Sequence, residues 1–384
     1  MIEKMTHYDG IIVGAGITGC SIAYFLAEKG CTNLLVIDKG GIASDITGIC
    51  PGGVRQQWGT EINCRMSKFS VDFFERINEH LQPEKEIKFR SVGYLNLLHS
   101  EEAIENYKNN IKLQNSFGIP TTLISPEEVE KIVPGINTDR FLQAAFCETD
   151  GFVDDVYHVT SSFAEAAKRK GVTFVNSEVI RITDENGVVT GIDMKEEGFI
   201  SANFVVNAAG LGSKQLAATI GVELPIEFEN RRILYSNRME QRLIEPLIIS
   251  SETGFAGKQL ASGIAYSSYL GGELKAPYSM YEFKDKVIEV GKEIFPPIEK
   301  LEFRTHVDGT YDSTPDHQAI LGDVDSKQGY YQAVGMSGHG FMMSPAVGQA
   351  MADIILSLPT TIDVSSLHFN RFSKNELLFE PSVV

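Results

Sequence analysis

Gly14-Ala15-Gly16-Ile17-Thr18-Gly19 constrains this chain more than any other stretch because of its flanks: the apolar run Tyr8-Asp9-Gly10-Ile11-Ile12-Val13 precedes it, and Asp38 stands 19 residues past its last glycine. Tyr8 to Val13 is expected as a short buried strand, Ile17 to Lys29 as a helix, and Leu34 to Ile37 as a second strand that ends on Asp38. The glycines permit a tight turn and a close backbone approach to a pyrophosphate, whose charge meets the positive N-terminus of the helix. A carboxylate at the end of the second strand can accept hydrogen bonds from a ribose. The pattern predicts an α/β dinucleotide-binding unit and leaves open whether the nucleotide is NAD or FAD.

With 384 residues the chain can form one or two domains, and 51 acidic against 34 basic residues, a net charge of −17, repel nucleic acid and anionic lipid. No nucleic-acid partner is expected. Cys20, Cys31, Cys50, Cys64 and Cys147 show no CxxC pair, which indicates neither a disulfide framework nor a zinc or iron–sulfur site. Free thiols in a reducing cytoplasm are the expectation. Met1-Ile2-Glu3-Lys4 leads into a polar start that reads as no secretory leader. Gln328 to Ala352 lacks Asp, Glu, Lys and Arg, long enough to suggest a membrane span, but Gly335, Gly338, His339, Gly340, Pro345 and Gly348 interrupt it. It reads as strand, glycine loop and helix, so no membrane span is expected.

Further along, Ile62, Met66, Phe69, Phe73 and Ile77 recur at helical spacing behind Thr60 as N-cap, and Ser125-Pro126-Glu127-Glu128 is a capping box whose helix Pro134 stops. A helix from about Val156 to Lys170 precedes a strand, Val172 to Val175, and strands Val179 to Ile182 and Val188 to Asp193 flank an Asn186-Gly187 turn. Phe204-Val205-Val206 enters a second strand-to-glycine turn, Asn207-Ala208-Ala209-Gly210-Leu211-Gly212. Residues 85–145 and 223–311 break this pattern with short alternating strands, such as Gly93 to Leu98, mixed with isolated helices and prolines. They are expected to form an inserted α+β substrate domain with an antiparallel sheet, leaving 1–84, 146–222 and 312–384 for the nucleotide-binding domain. The stretch after Ser365 reads as a surface tail.

The fingerprint, Gly52-Gly53-Val54-Arg55-Gln56-Gln57-Trp58, Ile111 to Pro120 with Gln114-Asn115 and Phe117-Gly118, Ser125 to Pro134, Thr314-Pro315-Asp316, and Gly335 through Gly348 together carry a family resemblance. Over nearly its whole length the chain resembles the D-amino-acid oxidase superfamily of FAD-dependent amine oxidoreductases. It is most similar to the catalytic β subunits of dye-linked L-proline dehydrogenases and to sarcosine oxidase β subunits. The resemblance implies a Rossmann-like FAD-binding domain of glutathione-reductase type. It also implies oxidation of a small amino acid, L-proline or a sarcosine-like secondary amine, to an imine by hydride transfer to flavin N5.

The last motif also has a physical rationale of its own. A strand, Gly329 to Val334, runs through a glycine loop into a helix that Ser344 can cap and Pro345 can start, with Val347, Ala350, Met351, Ile354, Ile355 and Leu358 as its buried stripe. Its positive end suits the negative charge that reduction places on a flavin. By resemblance Gly335, Gly338, His339, Gly340, Phe341 and Met342 contact the flavin, as do Gly14, Gly16, Ile17, Thr18, Gly19, Asp38, Lys39, Ser44, Thr47, Gly52, Gly53, Val179, Ala208, Ala209 and Gly210. Arg55 corresponds to the arginine that grips the substrate carboxylate, with a surface or ion-paired arginine as the alternative; His339 joins it at the catalytic centre.

Three departures from sarcosine oxidases matter. Met342 replaces a carboxylate-binding lysine, Asp308-Gly309-Thr310-Tyr311 lacks the cysteine that tethers flavin, and Ala265 falls near the place of a lysine associated with oxygen activation. Noncovalent FAD and a dehydrogenase rather than an oxidase are expected. His306 and His317 receive no role, and Tyr266 and Tyr269 either line the cavity or belong to the core. No paired carboxylates, Ser/His/Asp triad or metal-ligand spacing occurs, which agrees with chemistry done by a cofactor. Glycine, sarcosine, a D-amino acid and a 2-hydroxy acid remain alternative substrates, with an α subunit or other electron acceptor as partner. A flavin-carrying relay or assembly subunit is the reading from another class.

Overall fold

The computed structural model of the chain describes residues 7–271 and 279–380, so the Met1-Ile2-Glu3-Lys4 start lies outside the described residues. His7–Val13 forms the first strand and pairs in parallel with Leu34–Asp38 on one side and Gly198–Asn207 on the other. These strands belong to an eight-stranded sheet that ends at Thr173–Asn176 and, through Lys327–Val334, reaches the antiparallel pair Val179–Glu185 and Val188–Met194. Parallel strands covered on both faces require near-continuous apolar sequence, which is why Gly10-Ile11-Ile12-Val13 and Leu34-Leu35-Val36-Ile37 do not alternate.

Helices Ile17–Glu28, Val156–Arg169 and Gly340–Ile355 share a core with Glu61–Glu75, in which Tyr24, Phe25, Phe73 and Phe163 meet ring on ring. The first and last of these helices touch at Gly348, where an added Cβ would lie 2.2 Å from Ser21 Oγ. Ser21 in turn donates to the Ser344 carbonyl at 2.7 Å. No helix among the described residues is long and apolar enough to cross a membrane.

A second eight-stranded sheet draws its strands from residues 94–147 and 227–313 and is mostly antiparallel, with its longest pairing between Glu227–Arg238 and Phe303–Ser313. Helix Met280–Ile294 covers it through Phe283, Val287 and Ile294 against Leu234, Phe255 and Ala265. Gly53–Val54 and Phe89–Ser91 both pair with Gly151–Val153 in a small third sheet.

Several local expectations need correcting. Tyr94–Leu98 is buried at every position, because both faces of this strand are covered, so its sequence does not reflect an inside-outside alternation. The helix after the glycine loop starts at Gly340, not at Pro345, which lies inside it. Proline has no N–H for the Phe341 carbonyl, and Ser344 Oγ donates to that oxygen instead at 2.8 Å, which lets the helix run through. Thr60 occupies the N-cap position of Glu61–Glu75 without capping it. The Thr60 hydroxyl instead donates to the carboxylate of Glu380, which also accepts from the N–H groups of Gly59 and Thr60 and so fixes the entry to the helix, at 2.7 to 3.1 Å.

The stretch after Ser365 is therefore no surface tail. Leu367, Arg371 and Glu380 are buried, and Arg371 grips both oxygens of Asp316, in the Thr314-Pro315-Asp316 motif, at 2.8 and 3.0 Å. The partners lie 55 residues apart, so no local pattern announces the pair.

Candidate active site

The carboxyl ends of the first sheet's parallel strands open on a cleft of about 750 Å³ whose far wall is the second sheet. Such ends are where ligands bind in folds of this kind. Of the residues named from sequence, Gly14, Gly16, Ile17, Thr18, Asp38, Lys39, Ser44, Thr47, Gly53, Arg55, Val179, Ala208, Ala209, Gly210 and Gly338 to Met342 line it. Gly19, Gly52 and Gly335 do not line the cleft. A Cβ at Gly19 would meet the Gly14 carbonyl at 2.0 Å, one at Gly52 the Val153 carbonyl at 2.3 Å, and one at Gly335 the Thr314 methyl at 2.5 Å, so these glycines serve the packing behind the wall.

Two helices point uncapped into the cleft. Helices Glu101–Ser116, Pro126–Ile132, Val156–Arg169 and Met280–Ile294 carry side-chain caps from Ser100, Ser125, Asp155 and Ser279, whereas Ile17–Glu28 and Gly340–Ile355 have none. Their positive ends, and their first-turn amides other than the Ile17 N–H, favour an anionic or strongly polar ligand group. Thr47 Oγ1 accepts from the Ile17 N–H at 3.1 Å. Asp38 accepts from the N–H groups of Ala15, Gly40 and Gly41 at 2.8 to 2.9 Å, tying the glycine turn to the following loop. Ile180, 56% exposed, opens on the same cleft beside Val179 and Lys195, an apolar surface suited to a flat ring. This set fits an extended dinucleotide such as FAD.

Beyond the glycine collar, Arg55 is buried with its guanidinium 4.0 Å above the Trp58 ring, and Trp58 stands edge-on to His339 at 4.5 Å. Burial, with the Arg55 charge adding to it, pushes the His339 imidazole down to about 3, so it is neutral at working pH and holds no proton to give as an imidazolium. Tyr94, Tyr266 and Tyr311 complete this end of the wall. Burial raises all three phenols, which keeps them neutral hydrogen-bond donors. Gly53 is needed here for contact with Tyr94, since a Cβ would lie 1.9 Å from its hydroxyl. The Tyr266 hydroxyl is buried and has no hydrogen-bond partner among the described residues. An unmet polar group of this kind costs free energy unless a ligand satisfies it.

Tyr94 was not legible as a wall residue because its run was read only as a short alternating strand, and Tyr311 lay in a stretch read only for its missing cysteine. Tyr269 packs on the core of the second sheet instead. Met342 and Tyr266 both line the cleft. Ala265 is buried, but the neighbouring strand sets Lys258 opposite Tyr266. Lys258 is fully buried behind the wall, donates to the Pro51 carbonyl at 2.6 Å and lies 3.8 Å above the Phe152 ring; burial pushes it down to about 7. Gly309, Thr310 and Tyr311 line the cleft while Asp308 turns to Arg232 at 2.9 Å. Cys50 also lines it, with burial pushing its thiol up to about 11. Away from the cleft, Asp323, Asp325 and His368 cluster at the surface.

Comparison with known proteins places these features in context. Residues 9–354 match the family model described as DAO, FAD dependent oxidoreductase. A solved structure of L-proline dehydrogenase from P. horikoshii superimposes with a TM-score of 0.91 at 32% identity, covering 97% of this chain and 99% of that one. FAD-dependent oxidoreductase domain-containing protein 1 of Bos taurus is 29% identical over 95% of this chain and 84% of its own length. Sarcosine oxidase subunit beta of Rhizobium meliloti (strain 1021) is 26% identical over 98% of this chain and 91% of its length.

Proposed function

Since this chain belongs to the DAO family of FAD-dependent oxidoreductases, we propose that it dehydrogenates a small amino acid, L-proline or a sarcosine-like secondary amine, to an imine. The observation that carries this reading is that Arg55 and Tyr266 line one cleft, Arg55 buried and Tyr266 with a buried hydroxyl that has no hydrogen-bond partner among the described residues. A permanently charged guanidinium pairs with a carboxylate, and the phenol adds a second donor where Met342 offers none. FAD, when bound, accepts the electron pair and the hydrogen that leave the carbon beside the nitrogen. Trp58 fixes the plane of the guanidinium, and the tyrosines wall the site off from water. Water then hydrolyses the released imine. The collar at Gly338 to Met342 and the turn at Gly14 to Thr18 would hold the cofactor.

With Gly309 and Tyr311 lining the wall, FAD is held without a covalent bond in this reading. Acid precipitation of the yellow protein is therefore expected to leave the colour in the supernatant. A yellow pellet would contradict it.

His339 is neutral and takes no proton from an ammonium, so in this reading the amine enters unprotonated. kcat/KM is expected to rise from acid to alkaline pH as the substrate ammonium loses its proton; a flat profile excludes this mechanism.

Anaerobic mixing of the purified chain with L-proline, sarcosine, glycine and D-alanine tests the function. Bleaching by L-proline or sarcosine, with slow recovery in air and fast recovery with a dye, is expected. Failure of all four to bleach it overturns the reading. The likeness to a protein named as a β subunit supports a partner, an α subunit or an electron acceptor. If bleaching needs that partner, the chain is a relay subunit.

A further inference from the structure

Gln56 and Gln57, which sit between Arg55 and Trp58, line no part of the cleft, yet both are buried, and so are Asn96 and Asp150 behind them. Asp150 Oδ1 accepts from the Gln56 N–H at 2.8 Å, and Asp150 Oδ2 accepts from Gln57 Nε2 at 3.1 Å. Gln56 Nε2 donates to Thr149 Oγ1 at 2.9 Å. Gln57 cannot turn over: its Nε2 also donates to the Tyr94 carbonyl at 3.1 Å, and its Oε1 accepts from Asn96 Nδ2 at 3.0 Å. The orientation of the Gln57 amide is thus set by Asp150 and the Tyr94 carbonyl, which only accept, and it sets that of Asn96 in turn. On the other side of the loop, Trp58 Nε1 donates to the Arg55 carbonyl at 3.2 Å, and Gln114 Nε2 donates to the Trp58 carbonyl at 2.8 Å.

We infer that Asp150, acting through Gln56 and Gln57, is a positioning residue that holds the Arg55–Trp58 loop so that the Arg55 guanidinium is presented to a substrate carboxylate. The inference rests on the reading of Arg55 as carboxylate anchor. Burial pushes the Asp150 carboxyl up to about 6, against the pull of its bonds from Gln57 and Gln56, which leaves it ionised and accepting at neutral pH. An asparagine at 150 keeps size and shape but turns one acceptor into a donor that faces Gln56 N–H or Gln57 Nε2. The loop must then shift to separate two donors, and a buried network that is only partly satisfied loses its geometry first.

The test is a double-mutant cycle on the flavin-loaded chain. Its probe is pyrrole-2-carboxylate, a ring carboxylate that cannot be oxidised at the carbon beside the carboxyl group, followed by the flavin difference spectrum. Asp150→Asn is expected to weaken binding about tenfold while flavin content and Tm stay near wild type, and to add nothing further in an Arg55→Ala background. Unchanged affinity in Asp150→Asn, or an equal loss in both backgrounds, overturns the inference. If Asp150→Asn does not fold, Gln57→Met, which removes the Gln57 side-chain bonds to Asp150, Tyr94 and Asn96 but keeps the Gln56 N–H bond to Asp150, is read by the same two criteria. Failure of the premise looks different: the probe then does not bind wild type, or Arg55→Ala leaves its affinity unchanged.

Discussion

Arg55→Ala is expected to weaken substrate capture by about 2 to 5 kcal/mol, roughly thirtyfold to several thousandfold in kcat/KM. The size follows from where the group sits. Arg55 is buried over Trp58, and a carboxylate reaching it from the cleft would be desolvated as it bound. Truncation leaves that carboxylate in a dry wall with the Tyr266 hydroxyl as a remaining donor. Steady-state kinetics on the best bleaching substrate should place most of the loss in KM, because Arg55 holds a group that does not react. Unchanged apparent affinity would move the anchor elsewhere.

Gly14→Ala is expected to cost more than about 3 kcal/mol and to yield protein with little or no flavin. Its φ of +113° disfavours a side chain, and the new Cβ would sit 2.1 Å from the Ala208 carbonyl oxygen, which belongs to backbone and cannot swing away. A left-handed conformation costs about 1–2 kcal/mol and overpacking about 1–3 kcal/mol more. The clash falls where two parallel strands end together, with Val13 opposite Asn207 and the Ala208 N–H donating to the Val13 carbonyl at 2.9 Å. Gly16→Ala is the control, since its Cβ would meet only the Thr47 hydroxyl, at 3.1 Å, a side chain that can turn. It should fold and lose flavin affinity. Thermal melts and flavin absorbance separate the two outcomes.

The contrast between these glycines shows how far sequence reasoning reached. The spacing of Gly14, Gly16, Gly19 and Asp38 marked the turn, but the resemblance made all three glycines flavin contacts. Gly14 is required by a neighbouring strand and Gly19 by the turn itself, and no local pattern distinguishes a ligand from a carbonyl as the atom brought close. Periodicity found the elements on one face of the first sheet because helices and buried strands write their packing into their own residues. It did not find Asp316 with Arg371, Glu380 on the Glu61–Glu75 helix, or Asp150 with Gln57, where partners lie 55 to 320 residues apart. Resemblance named Arg55, sequence left Tyr266 between cavity and core, and geometry put Tyr266 on the wall and added Tyr94 and Tyr311.

The measurement that tests the account most directly is a crystal structure of the yellow chain with pyrrole-2-carboxylate. The account predicts flavin between the Gly14–Thr18 turn and the Gly338–Met342 collar, with the ligand carboxylate hydrogen-bonded to Arg55 and Tyr266. A carboxylate bound away from Arg55, or a flavin ring that does not touch the collar, would contradict it.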